Sequence, residues 1–203
     1  MHGIFDRTAA AVEEGGGWWS CFRADLDRYR AHHAARPAWV VFFMEQGLWA
    51  LLVYRLGAAI HRSGLPRSVK ATALVGVAVL QKWIEIVAGI SLPYQARIGP
   101  GLYIGHFGNV VLNEFVVIGH TCSLSQGVTI GVSGRDERRG VPCIGNRVYI
   151  ATNAVVCGRI VVGDDAVIAA NSLVSRDVAA HTTVMGVPAR EVSRNGSDAY
   201  IAL

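Results

Sequence analysis

The second half of the chain carries an aliphatic residue at every sixth position. In "VVLNEFVVIGHTCSLSQGVTIG", residues 110–131, the repeat falls on Leu112, Ile118, Leu124 and Ile130. Six is not the 3.6-residue period of a helix, and a single strand holding the whole run would be unusually long. The period continues on both sides, with two extra residues before Leu112 and a break after Ile130. Its other positions are Leu92, Ile98, Ile104, Ile144, Ile150, Val156, Val162, Ile168 and Val174.

Each six-residue unit predicts a short strand followed by a corner. The residue after each aliphatic is often Gly or Ala, and the fifth residue is small or aliphatic in most units. Three units would make one triangular coil, and stacked coils would bury a continuous aliphatic column. Such coils wind left-handed, an exception to the usual right-handed crossover. A β-sandwich would instead show turn signals every 8–12 residues. The repeat therefore predicts a mainly β fold, a left-handed parallel β-helix over residues 91–192.

The first 90 residues have a helical pattern. "WWSCFRADLDRYRAHH" places Phe22, Leu26 and Tyr29 on one helical face, with Arg and Asp opposite. A more apolar segment follows over residues 38–66, and a third covers residues 68–90 with Ser68 as its candidate N-cap. We expect a helical N-terminal domain at 1–90 for oligomerisation or partner contact, and a C-terminal tail at 193–203.

Two of these helical segments are apolar enough to raise the question of membrane insertion. A span needs about 20 apolar residues with few charges. Glu45 and Gln46 interrupt the second segment near its middle, and Gln81 and Lys82 interrupt the third. The pattern favours helices that pack on each other or on a neighbouring subunit, while peripheral membrane contact stays open.

Composition and charge narrow the function classes. The chain has 203 residues, 52% of them hydrophobic, and a net charge of +4. Its cations are scattered, which argues against a nucleic-acid partner but allows a modest attraction for an anionic ligand such as a phosphorylated cofactor. The four cysteines form no CxxC and no His pair has metal-ligand spacing, so we expect no metal site. With no signal peptide at the N-terminus, reduced thiols in a cytoplasmic protein are expected.

Three motifs in a fixed order carry a family resemblance. "IGPGLYIGHFGNVV", "CSLSQGVTIG" and "TTVMGVPAR" lie on the repeat and together resemble the hexapeptide-repeat acyltransferases, in particular the serine acetyltransferase branch, over residues 91–192. "GLYIGHFGN" is most similar to a related branch found with polysaccharide biosynthesis. The resemblance implies transfer of acetyl from acetyl-CoA to a small hydroxyl acceptor. It also implies a homotrimer, or a dimer of trimers joined by the helical domain, with active sites between neighbouring prisms.

The resemblance assigns His106 as the general base. An imidazole with a pKa near 6.5 can take a hydroxyl proton as attack on a thioester begins. The eight-residue step from Ile104 to Leu112 should make a bulged corner that lifts His106 into a groove. The family aspartate that orients the base falls on Ser91. Candidates for its role are Asn109, Asn113 and Glu114, of which Glu114 matches a family glutamate and is taken as a second catalytic residue.

The donor and acceptor sites follow from the same resemblance. For CoA it implies small residues at the prism edge, Ala151 and Ala169, together with Ser175, Arg176 and Arg190, and the two arginines suit its phosphates. Gln126 lies one 18-residue coil plus two from His106 and is expected in the same cleft. We assign acceptor binding to four residues: Ser91, Asn109, Gln126 and Arg135.

The acceptor itself stays open because several family positions differ. The acidic residue before the base falls on Gly105, and a histidine that helps hold serine falls on Val141 in the loop after Ile130. An acceptor carboxylate would have to meet Arg135, Arg138 or Arg139 in that loop. L-serine, a sugar and another small alcohol remain alternatives, and a non-catalytic scaffold is the alternative from a different class.

Overall fold

The computed structural model describes residues 16–33 and 35–201, and helices precede strands in it. The predicted helical domain's residues 1–15 lie outside the described residues. The helices are α1 (Trp18–His32), α2 (Ala38–Met44), α3 (Gln46–Arg62) and α4 (Arg67–Ala88).

The remainder is a left-handed parallel β-helix of very short strands, as the repeat predicts. Its strands stack into three parallel sheets, one for each side of the triangular coil, in the orders β1-β4-β7-β10-β13, β2-β5-β8-β11 and β3-β6-β9-β12-β14-β15, with only β15 antiparallel. The strands are β1 (Ile90–Ser91), β2 (Arg97–Ile98), β3 (Tyr103–Ile104), β4 (Val110–Leu112), β5 (Val117–Ile118), β6 (Ser123–Leu124), β7 (Thr129–Gly131), β8 (Cys143–Ile144), β9 (Tyr149–Ile150), β10 (Val155–Cys157), β11 (Val161–Val162), β12 (Val167–Ile168), β13 (Leu173–Val174), β14 (Thr183–Gly186) and β15 (Ala189–Ser193).

The aliphatic column predicted from the repeat forms the core of the coil. Every predicted inward position from Leu92 to Val174 is buried, none of them more than 4% exposed. The register shows the coil length: Ile144 pairs with Val162, 18 residues on, whereas Ile98 pairs with Ile118, 20 residues on. The two extra residues belong to the loop between β3 and β4.

The corners use backbone that only certain residues adopt easily. Asn109, Asn153 and Asn171 stand at equivalent corners with φ between 51° and 58°. Asparagine tolerates this left-handed region better than most residues. At the neighbouring corner a Cβ on Gly119 would lie 2.6 Å from the Gly145 carbonyl oxygen, so successive coils could not stack there around a larger residue.

Buried charges of the helices close the open lower end of the coil. Asp25 accepts hydrogen bonds from the backbone N–H groups of residues 101 and 102 at 2.8 and 2.9 Å. Arg55 binds Asp25 through two nitrogens at 2.9 Å and donates to the carbonyls of residues 98 and 99 at 2.7 Å. These side chains pair backbone groups that an uncovered first coil would leave unsatisfied.

Two tyrosines complete the same contact. The Tyr29 hydroxyl donates to the Ile104 carbonyl and accepts from the Ile104 N–H, both at 3.0 Å. The Tyr54 hydroxyl donates to the Ala96 carbonyl at 2.9 Å and accepts from the Ile98 N–H at 3.0 Å. The helical segment is therefore continuous with the coil core, and its hydroxyls act as extra strand partners.

Three details of the helical prediction are wrong. The Arg and Asp residues of α1 were expected opposite Phe22 and Tyr29, yet two of them, Asp25 and Arg28, are buried, because they pair with the coil. The single helix expected over residues 38–66 breaks at Glu45, and its two parts are bent by 93°. Ser68 lies inside the first turn of α4, and Pro66 holds the N-cap position, where its fixed φ suits a helix start.

Helix α4 leaves much of its apolar surface uncovered. It is long and apolar enough to cross a membrane by length and composition, and 17% of its most apolar window is buried within the chain. Helices α2 and α3 pass the same test only as one strongly bent pair. Trp83 and Ile86 are 54% and 76% exposed on the outward face of α4. Packing of the helices on each other therefore accounts for only one face of α4.

The last residues return to the coil. Asp198 pairs with Arg147, which also binds Asp165 at 2.7 Å, and the Tyr200 ring stacks on Tyr149 with centroids 4.8 Å apart. Ser197 and Ile201 are buried. The segment predicted as a tail thus packs along the prism as far as the structure describes it, and β15 extends one residue past the boundary expected at 192.

The thiols form no disulfide among the described residues, which include all four cysteines. Cys122 and Cys143 are buried in the coil, and burial raises the pKa of Cys122 to about 12. The Cys122 thiol therefore stays protonated and behaves as a small apolar core residue.

Candidate active site

His106 stands on the bulged corner between β3 and β4. Its side chain is exposed, and the loop of residues 105–109 holds the two extra residues of this coil. Gly108 and Asn109 turn the chain with φ of 104° and 51°. The bulge therefore places the imidazole outside the aliphatic core, where it can meet a ligand.

The end of α4 supports this loop from below. Gly108 N–H donates to the Ala88 carbonyl at 2.8 Å, and Val110 N–H donates to the Gly89 carbonyl at 3.0 Å. Gly89 ends the helix with φ 64°, and a Cβ there would lie 3.0 Å from the Asn109 nitrogen. The position of His106 is thus fixed by the helix end beneath it as well as by the coil.

We expect Gly89→Ala to lower stability and turnover together. The left-handed φ costs an alanine roughly 1–2 kcal/mol, and the added methyl would push the His106 loop. Gly76→Ala is the matched control, because Gly76 lies in the same helix with open space around it. Thermal unfolding and turnover check both variants, and a Gly89→Ala protein as active and stable as Gly76→Ala would contradict this role.

Gln126 lies one coil above His106 on the same edge of the prism. The adjacent Gly127 N–H donates to the Gly108 carbonyl at 2.9 Å, which stacks the two corners. The Gln126 side-chain carbonyl oxygen is buried and has no hydrogen-bond partner in the described part of the chain. Because buried polar atoms are nearly always satisfied, this oxygen suits a donor from a ligand or a neighbouring subunit.

Ser91 is already engaged within the chain. It lies on β1, where its backbone pairs with Val111 of β4, and its hydroxyl donates to the Glu85 carboxylate at 2.8 Å. Its half-buried side chain is therefore tied to the end of α4. The predicted acceptor-binding role for Ser91 stays a prediction.

The other candidates for orienting His106 are spread over two corners. Asn109 shares the His106 loop, whereas Asn113 and Glu114 lie at the opposite end of β4. The Asn113 side-chain oxygen accepts from the Phe115 N–H at 3.0 Å, and Glu114 is exposed at that turn. Within one chain Asn109 lies in the same loop as the imidazole and Glu114 does not, and the roles of both stay predictions.

The loop between β7 and β8 projects from the prism, as the interruption of the repeat predicts. Ser133 and Gly140 close it with two backbone hydrogen bonds of 3.1 Å. Arg135 and Arg139 are exposed, and Arg135 precedes a 3₁₀ turn at Asp136–Arg138. The Arg138 side chain lies outside what the structure describes. The loop can present cations to an anionic group at the surface.

The small residues predicted for CoA lie on one backbone ladder that begins beside His106. Gly105 N–H donates to the Leu124 carbonyl, Ala151 N–H to Ile168 and Ala169 N–H to Val184, all at 2.9 Å. Ala151 and Ala169 therefore stand two and three coils above Gly105 on the same edge. Their small side chains leave room for a ligand chain to run along the coil axis.

Ser175, Arg176 and Arg190 line one cavity of about 190 Å³ at the upper end of the coil. It lies four to five strands above β3 in the stacking direction, which is about 19–24 Å at normal strand spacing. Arg190 on β15, paired with Met185, lies above the edge of small residues, whereas Arg176 stacks three coils above Glu114 on the next corner of the prism. Two guanidinium groups around one cavity suit the phosphates of a long ligand. The described residues contain no group of three or more His, Cys, Asp or Glu that could hold a metal.

The sequence analysis missed Glu85. Its position in a helix, outside the six-residue repeat, gave no sign that it touches the coil. Its separation of six residues from Ser91 across Gly89, a helix-ending glycine, is the one available signal. Only the chain reversal at Gly89 brings the two side chains together.

The sequence and the fold of this chain are similar to those of known proteins. Residues 144–176 match the bacterial transferase hexapeptide (six repeats) family. A serine acetyltransferase of Helicobacter pylori is 35% identical over 162 residues, which cover 80% of this chain and 90% of that protein. A serine acetyltransferase of Bacillus licheniformis is 36% identical over 163 residues, with 80% of this chain and 72% of that protein covered.

A solved structure is similar over most of the fold. The crystal structure of serine acetyltransferase from Brucella abortus in complex with coenzyme A superposes with a TM-score of 0.75 and 27% identity. The match covers 92% of this chain and 72% of that one. It therefore includes the helices as well as the coil.

Proposed function

This chain belongs to the serine acetyltransferase family of hexapeptide-repeat transferases and is an acetyl-CoA-dependent O-acetyltransferase, in which we propose that His106 is the general base. The acceptor is a small molecule with a hydroxyl group, and L-serine is the first candidate because it gives the relatives their name. CoA is bound along the edge that carries Ala151 and Ala169.

The reaction follows from these positions. The neutral His106 ring takes the proton of the acceptor hydroxyl while the oxygen attacks the thioester carbonyl carbon. The carbon–sulfur bond breaks as the tetrahedral intermediate collapses. The imidazolium then gives its proton to the CoA sulfur, which leaves as the thiol, and the acetyl group remains on the acceptor oxygen.

One observation carries the proposal: His106 stands at the foot of a prism edge that leads up to Arg190 on β15, which lines the upper cavity. The edge passes Gln126, with its unpartnered buried oxygen, and then the stacked alanines. A donor laid along it would hold its phosphates at the upper end and its thioester beside the imidazole. Catalysis by proximity needs the thioester and the base held next to each other in this way.

An acceptor screen tests the function. Release of CoA thiol from acetyl-CoA is measured with L-serine, with a panel of sugars and with other small alcohols, each against a blank without acceptor. We expect one acceptor class to raise the rate well above the blank. Thiol release that no acceptor stimulates, with no CoA binding by calorimetry, would favour the non-catalytic scaffold instead.

A sugar or other alcohol is the second candidate, and specific residues favour it. Ser91, Gly105 and Val141 stand where acidic residues and a histidine were expected for a serine site. A zwitterionic amino acid needs a carboxylate for its ammonium group, and an uncharged sugar does not. Turnover with sugars and none with L-serine in the same screen would select this candidate.

We expect Arg176→Gln and Arg190→Gln each to raise the KM for acetyl-CoA roughly 10-fold with little change in kcat. A lost charge-assisted hydrogen bond to phosphate costs about 1.5–3 kcal/mol of binding shared by ground and transition states. Arg194→Gln is the control, because the Arg194 side chain is 90% exposed and pairs with Glu191. Unchanged acetyl-CoA KM in both variants would contradict the donor assignment.

We further propose a homotrimer, with a dimer of trimers as its larger form, in the cytoplasm. Apolar side chains exposed on the single prism support this: Phe107, Val111, Phe115 and Val132. The uncovered outward face of α4 suits contact with another subunit, and peripheral membrane contact is the less favoured use of it. Light scattering on the purified protein measures the subunit number.

A further inference from the structure

The carboxylate of Glu85 occupies a position that none of the predicted roles explains. Glu85 lies in the last turn of α4, three residues before Ala88, and the carbonyls of Ala88 and Gly89 support the His106 loop. Its Oε1 accepts the Ser91 hydroxyl at 2.8 Å, and its side chain is only 22% exposed. None of the roles assigned so far explains a half-buried carboxylate that is bound to a serine near the His106 loop.

Ser91 faces the outside of the coil next to the His106 corner. Its neighbours in sequence, Ile90 and Leu92, are buried in the core, so the alternation along the chain directs Ser91 outward. Its backbone pairs with Val111, and Val110, the first residue of β4, directly follows the His106 loop. The Ser91 side chain therefore lies one strand below Val111, two residues along the chain from Gly89, which lies beneath the His106 corner.

The direction of the hydrogen bond matters for the chemistry. A serine hydroxyl has one proton and two lone pairs, and the Ser91 proton is donated to Glu85. Because the hydroxyl proton is already donated to Glu85, the oxygen lone pairs are left to accept a hydrogen bond, for example from an imidazole N–H. A ring held by one nitrogen in this way keeps its other nitrogen unprotonated, as a general base requires.

We propose that Glu85, acting through the Ser91 hydroxyl, is the positioning residue that orients His106 and stabilises its imidazolium during acetyl transfer. The inference rests on the proposed role of His106 as the base. Serine alone would supply an acceptor without charge. A serine that is hydrogen-bonded to the Glu85 carboxylate links the imidazole to the negative charge in the last turn of α4.

The charge on Glu85 is maintained by its other neighbours. Partial burial opposes ionisation, but hydrogen bonds from Lys82, Ser91 and Gln81 outweigh it and lower the pKa of the Glu85 carboxyl. The Glu85 carboxyl is therefore an anion at neutral pH. Lys82 and Gln81 also offer the competing explanation, in which Glu85 only stabilises the end of α4.

The experiment uses rescue to separate the two explanations. Glu85→Gln and Ser91→Ala are each expected to lower kcat on the order of 10- to 100-fold with unchanged KM values, and the double variant should be no worse than either. Adding Ser91→Asp to Glu85→Gln places a carboxylate directly beside the corner. We expect it to restore kcat to within about 3-fold of the wild type, because general-base catalysis needs the orienting charge and not its source.

The controls make each outcome decisive. Lys82→Ala removes the helix-end ion pair but leaves Glu85 bonded to Ser91 and, like any ordinary glutamate, ionised at neutral pH, so it should keep wild-type kcat. If Glu85→Gln keeps wild-type kcat, or if Ser91→Asp fails to restore it in a protein that unfolds at the wild-type temperature, the positioning role is overturned. His106→Ala in the same assay separates this failure from that of the proposed function, since full activity there would refute the base itself.

Discussion

We expect His106→Ala to lower kcat by about 10²- to 10⁴-fold, the usual contribution of a positioned general base. The acetyl-CoA dissociation constant should stay near the wild-type value, because the donor contacts lie along the edge above the imidazole. The measurement is thiol release at saturating acetyl-CoA and acceptor, with CoA binding followed separately by calorimetry.

His120→Ala is the matched control for this loss. His120 is also an exposed histidine directly after a corner glycine, but it belongs to a corner without extra residues, and its ring contacts Thr121. We expect its kcat to equal that of the wild type. Equal kcat for His106→Ala and His120→Ala would show that His106 is not the general base, and it would not contradict the description of the fold.

The second large effect concerns stability: Asp25→Ala should destabilise the protein by about 3–5 kcal/mol. Removing one partner of a buried ion pair leaves the other charge uncompensated, here Arg55, and two backbone N–H groups of the first coil also lose their acceptor. For a chain of this size the midpoint of thermal unfolding should fall by roughly 6–20 °C.

Asp27→Ala provides the comparison on the same helix. Asp27 is exposed and makes only an i,i+3 contact with Arg30. Its replacement should change stability by less than about 0.5 kcal/mol. If Asp25→Ala and Asp27→Ala unfold at the same temperature, the buried pair does not hold the helices to the coil.

The coil was predictable because each six-residue unit meets the same physical requirement, an aliphatic side chain that points into the core. An inward aliphatic at every sixth position, from Leu92 to Val174, is needed whatever the neighbouring subunits or ligands are. The two interruptions of the period also predicted the loops correctly, since extra residues between stacked coils can only leave the prism. The bulge at His106 and the projecting loop with Arg135 both follow from this count.

The helical half was harder because its polar residues serve the coil. Asp25 lies three residues after Phe22 and four before Tyr29, on the apolar face, but nothing in α1 itself indicates that the first coil needs its charge or that of Arg28. Likewise, the break at Glu45 separates two apolar stretches that read as one helix. Contacts between distant segments decided both features, and a local pattern does not contain them.

The same limit applies to the site. The position of His106 follows from the corner bulge, but the partner of Ser91 follows from the reversal of the chain at Gly89. The candidates available from sequence were those near His106 in number, Asn109, Asn113 and Glu114. The structure places two of these at the far end of β4, and the carboxylate that Ser91 contacts belongs to Glu85, 21 residues before the base in sequence.

Identification of the reaction product tests the central claim most directly. The wild-type protein and His106→Ala are incubated with acetyl-CoA and the acceptor that the screen selects, and the acceptor is then examined by mass spectrometry and NMR. The account predicts an acetyl ester on the acceptor hydroxyl, formed in equal amount with CoA thiol by the wild type and nearly absent with the variant. Free acetate without an ester, or the same yield of ester from His106→Ala, would contradict it.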